Sequence, residues 1–87
     1  MGATYAESDG APLIRVRESA AGLVVTTIGP GVRGLTTGDI IVRVDGLRAG
    51  IHRSKLLNGL VGTDAVLTVG IDGDERLVRV PRVHRHR

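Results

Sequence analysis

The 87-residue chain contains no cysteine, no tryptophan, no phenylalanine and a single tyrosine. The lack of cysteine excludes a disulfide framework, a thiolate nucleophile and cysteine-ligated zinc, and it fits a reducing compartment. The near-lack of aromatic rings removes the platforms on which nucleic-acid bases stack. No apolar run approaches the roughly 20 residues of a membrane span. The opening residues, Met1 to Pro12, have neither a basic start nor an apolar stretch, so no signal peptide is read there. Met1-Gly2 suggests N-myristoylation, but Ala6 stands where that motif wants Ser or Thr. These absences lead us to expect a cytoplasmic chain with neither nucleic acid nor membrane as its partner.

What is present is a modest aliphatic supply. Hydrophobic residues make up 41% of the chain. A core must therefore come from Val, Leu, Ile and Ala. A chain of this length forms one domain and buries roughly 60–65% of the surface its unfolded form would expose. The net charge of +3 is unevenly placed. Arg76, Arg79, Arg82, Arg85 and Arg87 follow one another with no acid after Glu75, whereas the opening carries Glu7 and Asp9.

The most informative stretch is Gly38-Asp39-Ile40-Ile41-Val42-Arg43-Val44-Asp45-Gly46, a β-branched run between two turn signals. Upstream, Ile14 and Val16 alternate with Arg15 and Arg17, which predicts a half-buried strand with a charged face. A second strand is expected over residues 23–28, stopped by Gly29-Pro30-Gly31. A single helical turn is expected over residues 32–37, and a loop over residues 47–50. The main helix is expected over residues 52–60, where Leu56, Leu57 and Leu60 share one face. Strands over residues 65–69 and 76–80 flank a hairpin turn at Asp72-Gly73, and Pro81 ends the last. A short strand near Thr4-Tyr5 is a further expectation. The organisation read from this is a flexible lead-in over 1–11, a domain over 12–81 and a basic disordered tail over 82–87. The short turn spacings favour antiparallel pairing.

These residues, in this order, resemble a PDZ domain over most of the chain. The match rests on Gly22-Leu23-Val24-Val25 followed by Gly29-Pro30, on residues 35–46 with the GDIIVRVDG run, and on Leu56-Leu57-Asn58-Gly59-Leu60-Val61-Gly62-Thr63 before Val66-Leu67-Thr68-Val69. The last piece is similar to PDZ domains attached to bacterial-type proteases. The resemblance implies an α+β, mainly β fold: a small, partly open barrel of five to six mostly antiparallel strands with one main helix and a short helical turn. It also implies a protein-interaction module that takes a peptide or C-terminus as an added strand between its second strand and its helix. Carried over by position, the peptide-binding residues are Ala11, Pro12, Leu13, Ile14, Arg15, Val16 and Arg17 on one side and His52, Leu56 and Leu57 on the other. His52 stands near the helix position at which a His often selects a peptide Ser or Thr, with Ile51 the alternative there.

One position departs from the pattern. The family's carboxylate-binding loop relies on successive backbone N–H groups. Here that loop is Gly10-Ala11-Pro12-Leu13, and Pro12 has no N–H. An internal peptide segment, or pairing with the edge of another domain, therefore stands open beside a C-terminal carboxylate as the ligand.

Other motifs point to no chemistry. Ser8, Ser19 and Ser54 lack the surroundings of a nucleophile elbow, so no enzyme is expected. His84 and His86 are too few ligands for a metal site, Asp72-Gly73-Asp74-Glu75 lacks a full calcium-loop pattern, and the glycines at 29–34 lack a P-loop's Lys-Ser/Thr. No cofactor is expected. The partner expected is a protein or peptide, and the chain is expected to be a monomer, with strand-mediated self-association the alternative. A rival reading is a structural or regulatory PDZ-like domain of a larger protein, such as a protease. The Arg-rich end supplies a charge-only argument for anionic partners.

Overall fold

The computed structural model describes residues 10–71 and 73–84. Eight strands form in chain order: β1 (Gly10–Ala11), β2 (Ile14–Ser19), β3 (Gly22–Ile28), β4 (Ile40–Val44), β5 (Leu47–Arg48), β6 (Asp64–Ile71), β7 (Asp74–Pro81) and β8 (Val83–His84). A 3₁₀ helix, Ser54–Leu57, lies between β5 and β6. The main sheet has the order β2-β3-β4-β6-β7, with β5 paired to β4, and every pairing is antiparallel. Among the described residues the sheet stays open, so β2 and β7 are its edges. β1 and β8 form a separate two-stranded ribbon. This is a small α+β fold dominated by strands.

The alternation read from the sequence explains which face is buried. Leu23 and Val25 of β3, Ala65, Leu67 and Val69 of β6, and Val78 and Val80 of β7 all point into one core. β4 breaks strict alternation, because Ile41 and Val44 are both fully buried. A bulge accommodates this: the register against β6 shifts between Ile41 and Arg43. A second bulge separates Arg15 from Val16 against β3. The Asp45-Gly46 signal becomes a tight turn with positive φ at both residues, 52° and 82°, leading into β5. Part of the loop expected over residues 47–50 is thus a two-residue strand.

The helix expected over 52–60 is confined to four residues. His52 adopts φ 66°, so no helix runs through it, and Asn58 is already extended at φ −74° and ψ 150°. Of its expected apolar face, Leu57 is buried, Leu56 is half-buried and Leu60 is 52% exposed. The turn expected over 32–37 is irregular loop instead. There the Asp39 carboxylate accepts the Thr36 N–H (2.8 Å) while the Asp39 N–H donates to the Thr36 carbonyl (3.0 Å). Such local bonding competes with a helix. Arg76 anchors the loop by donating to Gly34 O (3.0 Å) and Asp39 Oδ2 (2.9 Å).

Order continues past Pro81, where a disordered tail was expected. Arg82 is 6% exposed, and Val83–His84 pair with Gly10–Ala11, which are likewise part of a strand and not of the lead-in. Arg82 donates to the Leu57 carbonyl (2.8 Å), Thr63 Oγ1 (3.1 Å), the Asp64 carbonyl (3.2 Å) and Asp45 Oδ2 (2.7 Å). A buried guanidinium with all these acceptors is the satisfied form that burial of a charge requires. Residues Arg85 to Arg87 and the expected strand at Thr4-Tyr5 lie outside the described residues, as does Asp72. Among the described residues no helix is long and apolar enough to cross a membrane.

Candidate functional site

Among the described residues β2 is an edge strand: one side of it is hydrogen-bonded to β3 and the other pairs with no strand. Beside that free edge lies a cleft of about 510 Å³. Three sequence-distant pieces wall it: the segment from Ala11 to Arg15, the 3₁₀ helix through Ser54 and Leu57 with Asn58 after it, and β8 through Val83 and His84. Thr27 and Gly29 of the neighbouring strand end complete it.

The walls are held in place by backbone contacts that side chains could not replace. Gly10 and Gly59 exchange two hydrogen bonds, of 2.8 and 2.9 Å, which tie the β1–β8 ribbon to the loop after the helix. A Cβ at Gly59 would stand 2.7 Å from Arg82 Nε, so only glycine lets the guanidinium reach the Leu57 carbonyl. Arg82 also bonds through its own backbone to Gly62 and Thr63. The helical wall and the ribbon therefore share one buried anchor.

At its other end the helix is clasped to β2. The Glu18 carboxylate accepts the Ser54 N–H at 3.2 Å. Its pKa is lowered by the Ser54 hydroxyl first, then by the N–H groups of His52 and Ser54, against a smaller upward push from burial. The Asp45 carboxyl is pushed up by partial burial. The Val66 N–H and the Arg82 guanidinium outweigh this and hold it below its ordinary value.

The structure brings Ala11, Pro12, Leu13, Ile14, Arg15 and Leu57 together on the cleft. Val16 lies farther along β2, half-buried against the core, and Arg17 is exposed beside it. Leu56 is half-buried against the core, and His52 is exposed at the Glu18 end; none of these four lines the cleft. Residues not expected there are Ser54, Asn58, Thr27, Gly29, Val83 and His84. No local pattern announced the last two, since Val83 stands three residues after Val80, out of step with the period-two alternation of β7.

The loop before β2 has few donors. Pro12 has none, and the Ile14 N–H already donates to the Pro12 carbonyl at 2.8 Å, a tight turn centred on Leu13. The Leu13 carbonyl accepts from Gly29 at 2.7 Å. A carboxylate arriving here would find two of the loop's amide positions unable to donate. No group of three or more His, Cys, Asp or Glu side chains able to hold a metal ion occurs among the described residues.

No family profile matches the sequence, and no curated protein does either. Solved structures do match. An aminopeptidase N family protein from Idiomarina loihiensis superposes with TM-score 0.75 at 18% identity, over 91% of this chain and 14% of that one. The PDZ domain of a carboxy-terminal protease from Vibrio cholerae, in complex with a peptide, superposes with TM-score 0.71 at 18% identity, over 88% of this chain and 96% of that domain. A photosystem II D1 C-terminal processing protease gives TM-score 0.71 at 23% identity, over 93% of this chain and 24% of that protein. The chain thus spans a minor part of the two larger proteins and nearly the whole of the isolated domain. With its open antiparallel sheet, its edge strand facing a short helix and these neighbours, the chain has a PDZ-like fold.

Proposed function

We propose that this chain is a protein-interaction module that takes an extended peptide as an added strand along β2, between that edge and the 3₁₀ helix. The observation that carries the reading is the cleft of about 510 Å³ at the free side of β2. Backbone groups of β2 would supply affinity, and pockets along the cleft would select alternate side chains. The peptide complex of the Vibrio cholerae PDZ domain supports this use of the fold. Affinity for one short segment is of micromolar order, about −8 kcal/mol. The chain has no catalysis of its own in this reading.

The preferred ligand is an internal segment and not a C-terminal carboxylate, because Pro12 and Ile14 leave the loop short of free donors. A screen against matched peptide libraries, one with free C-terminal carboxylates and one amidated or embedded, tests it. Embedded sequences should bind as well as or better than free termini. Binding confined to free carboxylates would overturn the internal-segment reading, and no binding in either library would overturn the module reading.

A second reading rests on the neighbours' sizes. The fold occurs in two of them as 14% and 24% of a larger protein. The same groove could then receive a segment of its own parent chain and regulate it. Deleting the domain from such a parent and assaying activity separates the two readings.

A further inference from the structure

β2 presents two different faces to an incoming strand. Ile14 and Val16 pack toward the core, and Glu18, on the same side, turns its carboxylate onto the 3₁₀ helix. Arg15 and Arg17 are exposed on the opposite face. Their partners across β3 are Thr27 and Val24, neither of them acidic. The ion pairs among the described residues join Arg43 to Glu75, Arg76 to Asp39 and Arg82 to Asp45, and none uses Arg15 or Arg17. Among the described residues no Asp or Glu lines the cleft. The one carboxylate on β2 is already held by the helix.

From this we infer that the partner segment is an alternating acidic strand, with two carboxylates spaced two residues apart and an aliphatic residue between them. The inference rests on the strand-addition reading above and names its ligand. A strand laid against β2 has period two, so residues facing Arg15 and Arg17 lie at j and j+2 on the solvent side. The residue between them points to the other face, over the apolar side chains of Ile14 and Val16. Opposite charges directly across a strand pair are favourable, and like charges are unfavourable. Arg15 and Arg17 therefore act as specificity residues as well as protection of a bare edge.

The test uses the 87-residue chain and three amidated, N-acetylated peptide libraries. Each carries aliphatic residues at alternate positions and Glu, Gln or Lys at the two positions between them; flanks are randomised. Binding is read by fluorescence polarisation at low and high salt. The expected order is Glu over Gln over Lys, with about tenfold between Glu and Lys from two cross-strand pairs. The preference should shrink at high salt, since these charges are exposed. The double variant Arg15→Glu/Arg17→Glu, on an exposed face and checked for folding by circular dichroism, should bind the Lys library best. Equal binding of all three libraries overturns the inference while leaving strand addition standing. A Glu preference unchanged in the double variant also overturns it, because net charge elsewhere would then be responsible. If no library binds at any charge, the strand-addition reading falls and this inference falls with it.

Discussion

Replacing Arg82 by Met keeps an unbranched apolar stem and removes the guanidinium that joins the helix, Thr63 and Asp64, and the β4–β5 turn. Its bond to Asp45 counts for little, because the Asp45 side chain is 41% exposed and water replaces the partner. The bonds to the Leu57 and Asp64 carbonyls and to Thr63 Oγ1 count for more. Hydrogen bonds to charged groups contribute about 1.5–3 kcal/mol each, and a buried carbonyl left without a donor costs about 1–3 kcal/mol. These terms overlap, so the expected net loss is about 2–4 kcal/mol. For a domain of this size that lowers Tm by about 10–25 °C. Arg82→Lys should recover less than half, because one ammonium cannot reach acceptors spread over four residues. Thermal unfolding followed by circular dichroism and urea titration of the three proteins would measure this. A Tm drop below about 4 °C in Arg82→Met, with an unchanged urea m-value, would refute the anchoring role.

Gly59→Ala should displace the same guanidinium and destabilise by about 1–3 kcal/mol in urea, since its Cβ meets Nε at 2.7 Å. Combined with Arg82→Met its effect should be less than additive, because both changes act on one contact. Glu18→Gln should weaken the clasp to the helix in a pH-dependent way. The folded Glu18 carboxyl lies below its ordinary 4.5, so its stabilisation is present above 4.5 and is lost as pH falls through the depressed value. The Tm gap between wild type and Glu18→Gln should be full at neutral pH and close in acid; a gap that stays constant across that range would contradict the assignment. Pro12→Ala restores one loop N–H and should raise affinity for free-carboxylate peptides over their amides by roughly fivefold, about the value of one hydrogen bond. Paired isothermal titrations would read it.

The long strands β2, β3, β4, β6 and β7 were legible because each carries its own pattern, whereas the two-residue strands β1, β5 and β8 were not. Ile14 and Val16 alternate with arginines, the run from Ile40 to Val44 is β-branched, and Asp45-Gly46 makes the expected tight turn. The helix was less so. The spacing of Leu56, Leu57 and Leu60 suits a helical face, but the loop through Asn58 and Gly59 is claimed by the backbone of Gly10 and by Arg82. Those partners lie 49 and 23 residues away along the chain, and no local pattern carries that information. Arg82 was misread for the same reason. In sequence it is one of a string of basic residues, and only the acceptors at Asp45, Leu57, Thr63 and Asp64 distinguish it. About half of the cleft was visible in advance, in the segment from Ala11 to Arg15 with Leu57. Ser54 and His84 were not, since the first depends on where the helix starts and the second on the ribbon formed by β1 and β8.

The central claim is that β2 is the edge a partner strand joins, and amide hydrogen exchange with and without a saturating bound peptide tests it most directly. The account predicts new protection concentrated in residues 14–17, with the other edge, β7, unchanged. Protection appearing along β7 instead, or peptide binding that leaves the β2 amides exchanging at their free rates, would contradict it.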